Sequence, residues 1–354
     1  RPAGDAALVA GDLWGMKPMG VAGGNLFYGI WTQLSRMHVV PIDLTRNRLS
    51  GTPTPVDPQM RNSSFPAWSP DGLKLLYWVG EPGQTKGRLM LRSTAGGETL
   101  DVTPGSLTPV RELLRWSEDG REVLIFGEEQ ESGRRAFFAY TLATGEIEYF
   151  FSRDEIAEMD VRWEMFSSDW GTVYLGVTEG SDGPTAVWRR DMATKETLVA
   201  FPGQSDWGPA SWNRMWPSPD DRSFAFWEFD DPFTASRRLK VISTDGGEPR
   251  TLLTVPRSDE AGHPRCTGDL IPLWTSDGRH LLSILRDNSV PEGEPFPPNP
   301  CRLYKVPVEG GDPIFVGALP QQGVWALSPD DSRLAFSTGG NRGEIWIMDG
   351  LDRR

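Results

Sequence analysis

Apolar and polar positions along this chain follow one recurring unit: an aromatic or apolar residue, a short turn of Ser, Pro, Asp and Gly, then an apolar strand. The unit appears six times. Trp68-Ser-Pro-Asp-Gly leads into Leu73–Val79, Trp116-Ser-Glu-Asp-Gly into Val123–Phe126, and Phe166-Ser-Ser-Asp-Trp-Gly into Val173–Val177. Ser218-Pro-Asp-Asp leads into Phe224–Phe229, Trp274-Thr-Ser-Asp-Gly into Leu281–Leu285, and Ser328-Pro-Asp-Asp into Leu334–Phe336. The turn aspartates Asp71, Asp119, Asp169, Asp220, Asp277 and Asp330 are spaced by 48, 50, 51, 57 and 53 residues. Pro presets the first corner of such a turn, Asp bonds its own backbone, and Gly accepts a positive φ at the exit. Asp221 and Asp331 take the Gly place, which Asp tolerates better than most residues.

A second strand follows each of these, at Leu89–Arg92, Ala136–Tyr140, Ala186–Arg189, Leu239–Ile242, Leu303–Val306 and Ile345–Met348. Gly-containing hairpins such as Ala95-Gly-Gly, Thr144-Gly145, Asp245-Gly-Gly and Glu309-Gly-Gly then lead to a third, as in Glu146–Phe151 and Pro313–Val316. With the strand before each turn, the unit is a four-stranded antiparallel meander of about 50 residues, the size of a propeller blade. Stepping back one repeat from Gly72 reaches Ala22-Gly-Gly-Asn, then Leu26–Trp31 and Met37–Ile42. These segments predict a degenerate seventh repeat, placed first in the chain.

The expectation is therefore an all-β, seven-bladed propeller filling the chain as a single domain. Its blades run approximately over 11–57, 58–106, 107–153, 154–203, 204–256, 257–318 and 319–354. The last repeat lacks a fourth strand, and Ala6–Val9 is expected to supply it, closing the ring and removing two open sheet edges.

Composition fits this picture: 39 Gly, 30 Pro, 15 Trp and 16 Phe among 354 residues favour turns and strands over bundles. A net charge of −13 repels phosphate backbones, so nucleic acid is not an expected partner. No apolar run approaches the roughly 18–20 residues that cross a bilayer, so direct membrane insertion is not expected either. The chain starts at Arg1 without a visible export signal, which fits a processed or trimmed chain, or a piece of something larger.

Phe65-Pro-Ala-Trp-Ser-Pro-Asp-Gly-Leu-Lys-Leu-Leu-Tyr, Leu327-Ser-Pro-Asp-Asp-Ser-Arg-Leu-Ala-Phe and the closing Ile345-Trp-Ile-Met-Asp resemble the repeat of the TolB-like propellers. The resemblance extends from about residue 13 to the end. It implies a propeller of the kind found in a periplasmic partner of envelope lipoproteins, in prolyl-oligopeptidase-like enzymes and in sensor or scaffold modules. TolB proper carries six blades behind a small α/β domain, for which this chain has no room.

In such blades the Asp-bearing turns gather on one face. The opposite face receives the longer, more varied segments Val56–Pro66, Ser152–Asp160, Gly203–Arg214, Arg257–Asp269 and Arg286–Pro300, where recognition is expected. Arg111, Arg162 and Arg214 lie near inner-strand starts of consecutive blades, with Asn213 adjacent. Three converging guanidinium groups could hold a carboxylate or phosphate by forked hydrogen bonds. The alternative is that each pairs with a nearby acid such as Glu112, Glu164 or Asp269 and only ties blades together. Trp207 and Trp212 stand beside these arginines either as partner anchors or as wedges between blades, whereas Trp216 is expected in the core.

The two cysteines, Cys266 and Cys301, are expected at one face of one blade. A disulfide between them would close 34 intervening residues, contribute about 3 kcal/mol and imply an oxidising compartment. Two unrelated buried thiols are the alternative. The three histidines, His38, His263 and His280, fall in separate repeats, and no nucleophile elbow, His-Glu-x-x-His or phosphate loop is present. No catalytic residue, metal site or cofactor is therefore assigned. Ser167-Ser-Asp-Trp-Gly-Thr-Val-Tyr174 matches the Asp-box of sialidase-like propellers, and Asn62-Ser63-Ser64 fits a glycosylation pattern. The leading expectation is a non-enzymatic scaffold binding another protein, within a periplasmic or otherwise extracytoplasmic, membrane-associated complex. The alternative is an enzyme or substrate-gating propeller with an anion pocket at the tunnel mouth.

Overall fold

The computed structural model describes residues 16–22, 25–80, 86–110, 112, 114–178, 185–204, 215–229, 237–255, 271–286, 301–320 and 322–348. Their strands form six antiparallel sheets, five of them built from strands consecutive in the sequence. Blade 1 comprises Ser63–Trp68, Lys74–Gly80, Gly87–Ser93 and Thr99–Asp101. In blade 2 the inner strand is interrupted, so that Leu107–Pro109 and Arg115–Trp116 both pair with Glu122–Glu129, followed by Arg135–Thr141 and Ile147–Phe151. Blade 3 runs Val161–Phe166, Thr172–Thr178, Thr185–Asp191 and Thr197–Gln204. Blade 4 runs Trp216–Pro217, Ser223–Phe229, Arg237–Ser243 and Arg250–Val255. Blade 5 runs Leu273–Trp274, His280–Arg286, Cys301–Pro307 and Ile314–Leu319.

Blade 6 is shared between the two ends of the sequence. Gln322–Leu327 and Arg333–Met348 are its first two strands, Asn25–Asp43 is the third, and Arg48–Leu49 and Thr54–Pro55 lie outside that. The pairing is continuous from Leu26 against Met348 to Pro41 against Arg333, and Met16–Ala22 pairs with the far part of the third strand.

The propeller thus has six blades, not seven. The degenerate first repeat lacks a Ser-x-Asp turn and hence an inner strand of its own, while the last repeat has only two strands. Each fragment would expose an unpaired edge, and joining them satisfies both. Leu26–Trp31 and Met37–Ile42, expected as separate strands, are one strand, as are Leu334–Phe336 and Ile345–Met348. The third strand of the last blade is supplied by Asn25–Asp43. The expected closing segment Ala6–Val9 lies outside the described residues.

Six apolar clusters join consecutive sheets and complete the circle. Leu76 and Leu89 of blade 1 meet Trp116 and Val123 of blade 2, and Leu124 and Phe137 of blade 2 meet Phe166 and Leu175 of blade 3. Trp163 and Val187 then pack on Phe224 and Phe226, and Trp227 and Leu239 on Leu281 and Val306. Leu282 and Cys301 of blade 5 pack on Val40 and Phe336 of blade 6. Met37 and Ala335 return to Tyr77 and Leu75 of blade 1. Both faces of every sheet are therefore covered, which explains why strands such as Lys74–Gly80 read as apolar runs rather than alternating.

Indole N–H groups fix neighbouring inner strands. Trp68 donates to the Ala326 carbonyl, Trp116 to Ala67, Trp274 to Trp216 and Trp325 to Ile271, at 3.0–3.2 Å. The six turns are chemically alike. In each, the Ser or Thr hydroxyl donates to the Asp carboxylate at 2.6–2.7 Å and accepts the N–H five residues on, while the Asp accepts the N–H two residues beyond it.

Adjacent turns are also matched to each other. Where the middle turn residue is Ser, as at Ser168 and Ser276, the next blade carries Asp221 or Asp331 at the left-handed exit position (φ 54° and 56°). The Asp carboxylate accepts both the N–H and the hydroxyl of that serine across the blade boundary. Where the middle residue is Pro70 or Pro329, the next exit residue is Gly120 or Gly72, and a Cβ there would touch the proline ring.

Candidate site between the second and third blades

The position two residues before each turn Ser or Thr is apolar in five blades: Ala67, Met165, Trp216, Leu273 and Ala326. In blade 2 it is Arg115. Alternation along the strand sends Trp116 towards blade 1 and Arg115 towards blade 3. Its guanidinium reaches the Met165 sulfur at 4.0 Å, and no described carboxylate lies within ion-pair distance of it. Burial pushes the Arg115 pKa down to about 10, against the pull of the Asp221 carboxylate, so the group stays charged at neutral pH. Asp221 itself is engaged by the Ser168 N–H and hydroxyl.

The same boundary lacks an indole spoke, because Phe166 occupies the place held by Trp68, Trp116 and Trp274 in other blades. Phenylalanine is smaller and has no N–H to donate. Its ring packs edge-on to Phe137 with centroids 4.8 Å apart. Only a small gap remains here, with room for about one water molecule, bordered by Arg115, Glu112, Glu164 and Met165 and by the apolar groups of Leu124, Phe137 and Phe166. Glu164 is almost fully buried and accepts from the Arg153 Nε at 2.8 Å and from its Nη2, so its charge is balanced within the protein. Arg153 is positioned by a single 3-10 turn, Arg153–Ile156, capped by Ser152.

Of the arginines expected to converge, only Arg162 falls among the described residues. Its Nη2 donates to Asp160 at 2.7 Å and its Nε to the Thr178 hydroxyl at 2.9 Å, the acid-paired alternative rather than an open fork. Arg111, Arg214, Asn213, Trp207, Trp212 and Cys266 lie outside the described residues. Cys301 is fully buried at the start of the third strand of blade 5. Trp216 is half-buried against the blade 3–blade 4 cluster. His38 stacks on Phe336, and His280 begins a strand of blade 5; burial lowers the pKa of both. Ser167–Tyr174 makes the same turn as the other five repeats. The Asn62 side-chain amide donates to the Gly80 carbonyl at 2.7 Å.

No protein-family model matches the sequence, and no curated protein matches it. Solved structures do. A TolB-like protein from Agrobacterium tumefaciens superposes with a TM-score of 0.58 over 86% of this chain and 99% of its own, at 18% identity. The fold is that of a TolB-like β-propeller. TolB from Acinetobacter baumannii aligns over 89% of this chain and 67% of its own at 16% identity and a TM-score of 0.47. An oligogalacturonate lyase in complex with manganese aligns over 89% and 76% at 15% identity, also with a TM-score of 0.47. Among the described residues of this propeller, no group of three or more His, Cys, Asp or Glu is placed to hold a metal ion. No described helix is long and apolar enough to cross a membrane.

Reading the loops for arginines missed Arg115, which sits inside a strand. The available signal was the repeat itself: aligned on their turns, six inner strands show one charge at an otherwise apolar position.

Proposed function

We propose that the protein is a binding propeller that docks another protein on one face of its ring, outside the cytoplasm, as part of an envelope- or membrane-associated assembly. The observation that carries this reading is the inequality of the two faces. One consists of six short, nearly identical Ser/Thr-x-Asp turns whose polar groups bond one another. The strand ends at the opposite face are joined by the long, mutually unlike segments 205–214, 256–270 and 287–300. Variable segments on a rigid ring are where recognition evolves most freely. The likeness to the Agrobacterium TolB-like protein supports the reading through the fold, and function must still come from the site.

Trp207 and Trp212 are proposed as anchors for the partner, since buried aromatic anchors dominate most interfaces. A disulfide between Cys266 and Cys301, which stand in the sequence on either side of segment 287–300, would suit an oxidising compartment. The test is crosslinking in the native source followed by mass spectrometry, with wild type beside Trp207→Ala/Trp212→Ala. The expected result is a stoichiometric partner lost from the double variant while thermal unfolding is unchanged. Equal capture by both proteins, or crosslinks mapping only to the Ser/Thr-x-Asp face, overturns the assignment.

A further inference from the structure

Second strands elsewhere in the ring are short: Lys74–Gly80, Thr172–Thr178, Ser223–Phe229 and His280–Arg286 have seven residues each. In blade 6 that strand, Arg333–Met348, has 16. Its pairing with Gln322–Leu327 stops at Thr338. Residues 339–348 run on with Asn25–Asp43 on one side, and among the described residues no strand pairs with the other side. The Ser328 N–H donates to the Arg333 carbonyl, whereas the Ser332 carbonyl accepts from Ile42. Odd-numbered residues therefore turn their N–H and C=O away from Asn25–Asp43, and the unbroken register on that side carries the alternation to the end. Gly339, Asn341, Gly343, Ile345 and Ile347 thus present an open row of donors and acceptors. The opposite edge of the same sheet is blunted, because Met16–Ala22 carries Lys17, Pro18 and a bulge between Pro18 and Gly20. The open edge has no proline and no bulge, and its three glycines mark where another backbone can come close.

The sequence along this edge is complementary to itself. When two copies are set antiparallel about Gly343, their outward backbone groups meet as reciprocal hydrogen-bonded pairs. Arg342 of each copy then falls directly across from Glu344 of the other, Trp346 across from Gly340 and Ile347 across from Gly339. Opposite charges at directly opposed positions stabilise paired strands, and like charges destabilise them. Centring the pair on Arg342 or Glu344 would set that charge against its own copy. Centring it on Asn341 or Ile345 would leave neither charge across from the other. We propose that the protein dimerises through this edge, two copies joining residues 339–348 antiparallel across a two-fold axis at Gly343. The result is one sheet with three strands from each copy. Such an interface is self-complementary, as a two-fold requires, and closes both open edges at once. It goes beyond the docking face above and does not depend on it.

On the full chain, sedimentation velocity over a concentration series should show a reversible dimer. Arg342→Glu and Glu344→Arg should each weaken it about tenfold to a hundredfold, because both charge pairs become repulsions. An equimolar mixture of the two variants should recover a dimer of near wild-type affinity, since each then meets its opposite. Recovery on mixing also shows that both variants are folded. The exchange Arg342→Glu/Glu344→Arg within one chain should dimerise as wild type does. Gly343→Pro removes an N–H directed at the second copy and none bonded within the blade, so it should abolish the dimer and leave the circular dichroism unchanged. Wild type that stays monomeric at about 100 μM, single variants that dimerise as tightly as wild type, or a mixture no tighter than its components each overturns the proposal.

Discussion

Exchanging Ser276 for Pro and Asp331 for Gly asks whether neighbouring blades are matched as pairs. The two Asp331 oxygens accept the Ser276 N–H at 3.0 and 3.1 Å, and one of them accepts the hydroxyl at 2.8 Å. Buried charge-assisted bonds contribute about 1.5–3 kcal/mol each. Ser276 is exposed, so screening reduces the whole set to about 1–2 kcal/mol. Ser276→Pro alone removes both donors. It leaves the half-buried Asp331, whose pKa burial already raises, beside Asp277 and Asp330 with nothing to offset its charge. The expected loss is about 1–2 kcal/mol.

Asp331→Gly alone loses the same bonds but relieves a left-handed φ of 56°. That relief is about 1 kcal/mol, so the net change should be about 0–1 kcal/mol. The double variant recreates the pair seen at Pro70 and Gly120 and should lie within about 0.5 kcal/mol of wild type. Urea unfolding of all four proteins should therefore give a coupling energy of about 1–2 kcal/mol with an unchanged slope. Effects that add within about 0.3 kcal/mol would refute the pairing.

Three further outcomes are expected. The Ser or Thr hydroxyl holds Asp71, Asp169, Asp220, Asp277 and Asp330 below the ordinary carboxylate range, Asp330 at about 2, and the Arg121 N–H does so first for Asp119. A depressed folded pKa stabilises above the unfolded value and is lost as pH falls, with Asp331 acting in the opposite sense. The melting temperature should stay level from pH 7 to about 5 and fall between about pH 4 and 2; a flat profile down to about pH 2.5 would contradict this. Val40→Ala, at a fully buried site on the closing strand, should cost about 2–3 kcal/mol, and a cost below about 0.5 kcal/mol would mean that strand only rests on the ring. Unfolded, unreduced protein should show no free thiol if Cys266 and Cys301 are paired, and two if they are not.

What could be read in the sequence was what local chemistry determines. The turn at Trp68-Ser-Pro-Asp-Gly closes through bonds among residues five apart, so its residue types announce it, and five of the six blades follow directly. Blade number was different. Whether Met37–Ile42 begins a sheet or finishes one depends on its pairing with Arg333–Thr338, some 300 residues away, and no local pattern encodes that choice. Counting apolar segments turned two halves of one blade into two blades. For Arg162 the acid-paired reading was among the two the sequence offered, but the acid itself was not: it is Asp160, two residues before it. Arg115 was hidden by its strand, and only the comparison of six repeats exposes it.

The seam in blade 6 sets an order of events during synthesis. Residues 25–43 leave the ribosome roughly 300 residues ahead of the strand they hydrogen-bond to, Arg333–Met348. Until then five sheets can stack, but the arc has two bare edges and the first-made strand has no mate. Unpaired strand edges invite association with other chains. The growing chain therefore carries this hazard for as long as the intervening residues take to be made, and sheds it in one step when its two distant stretches meet.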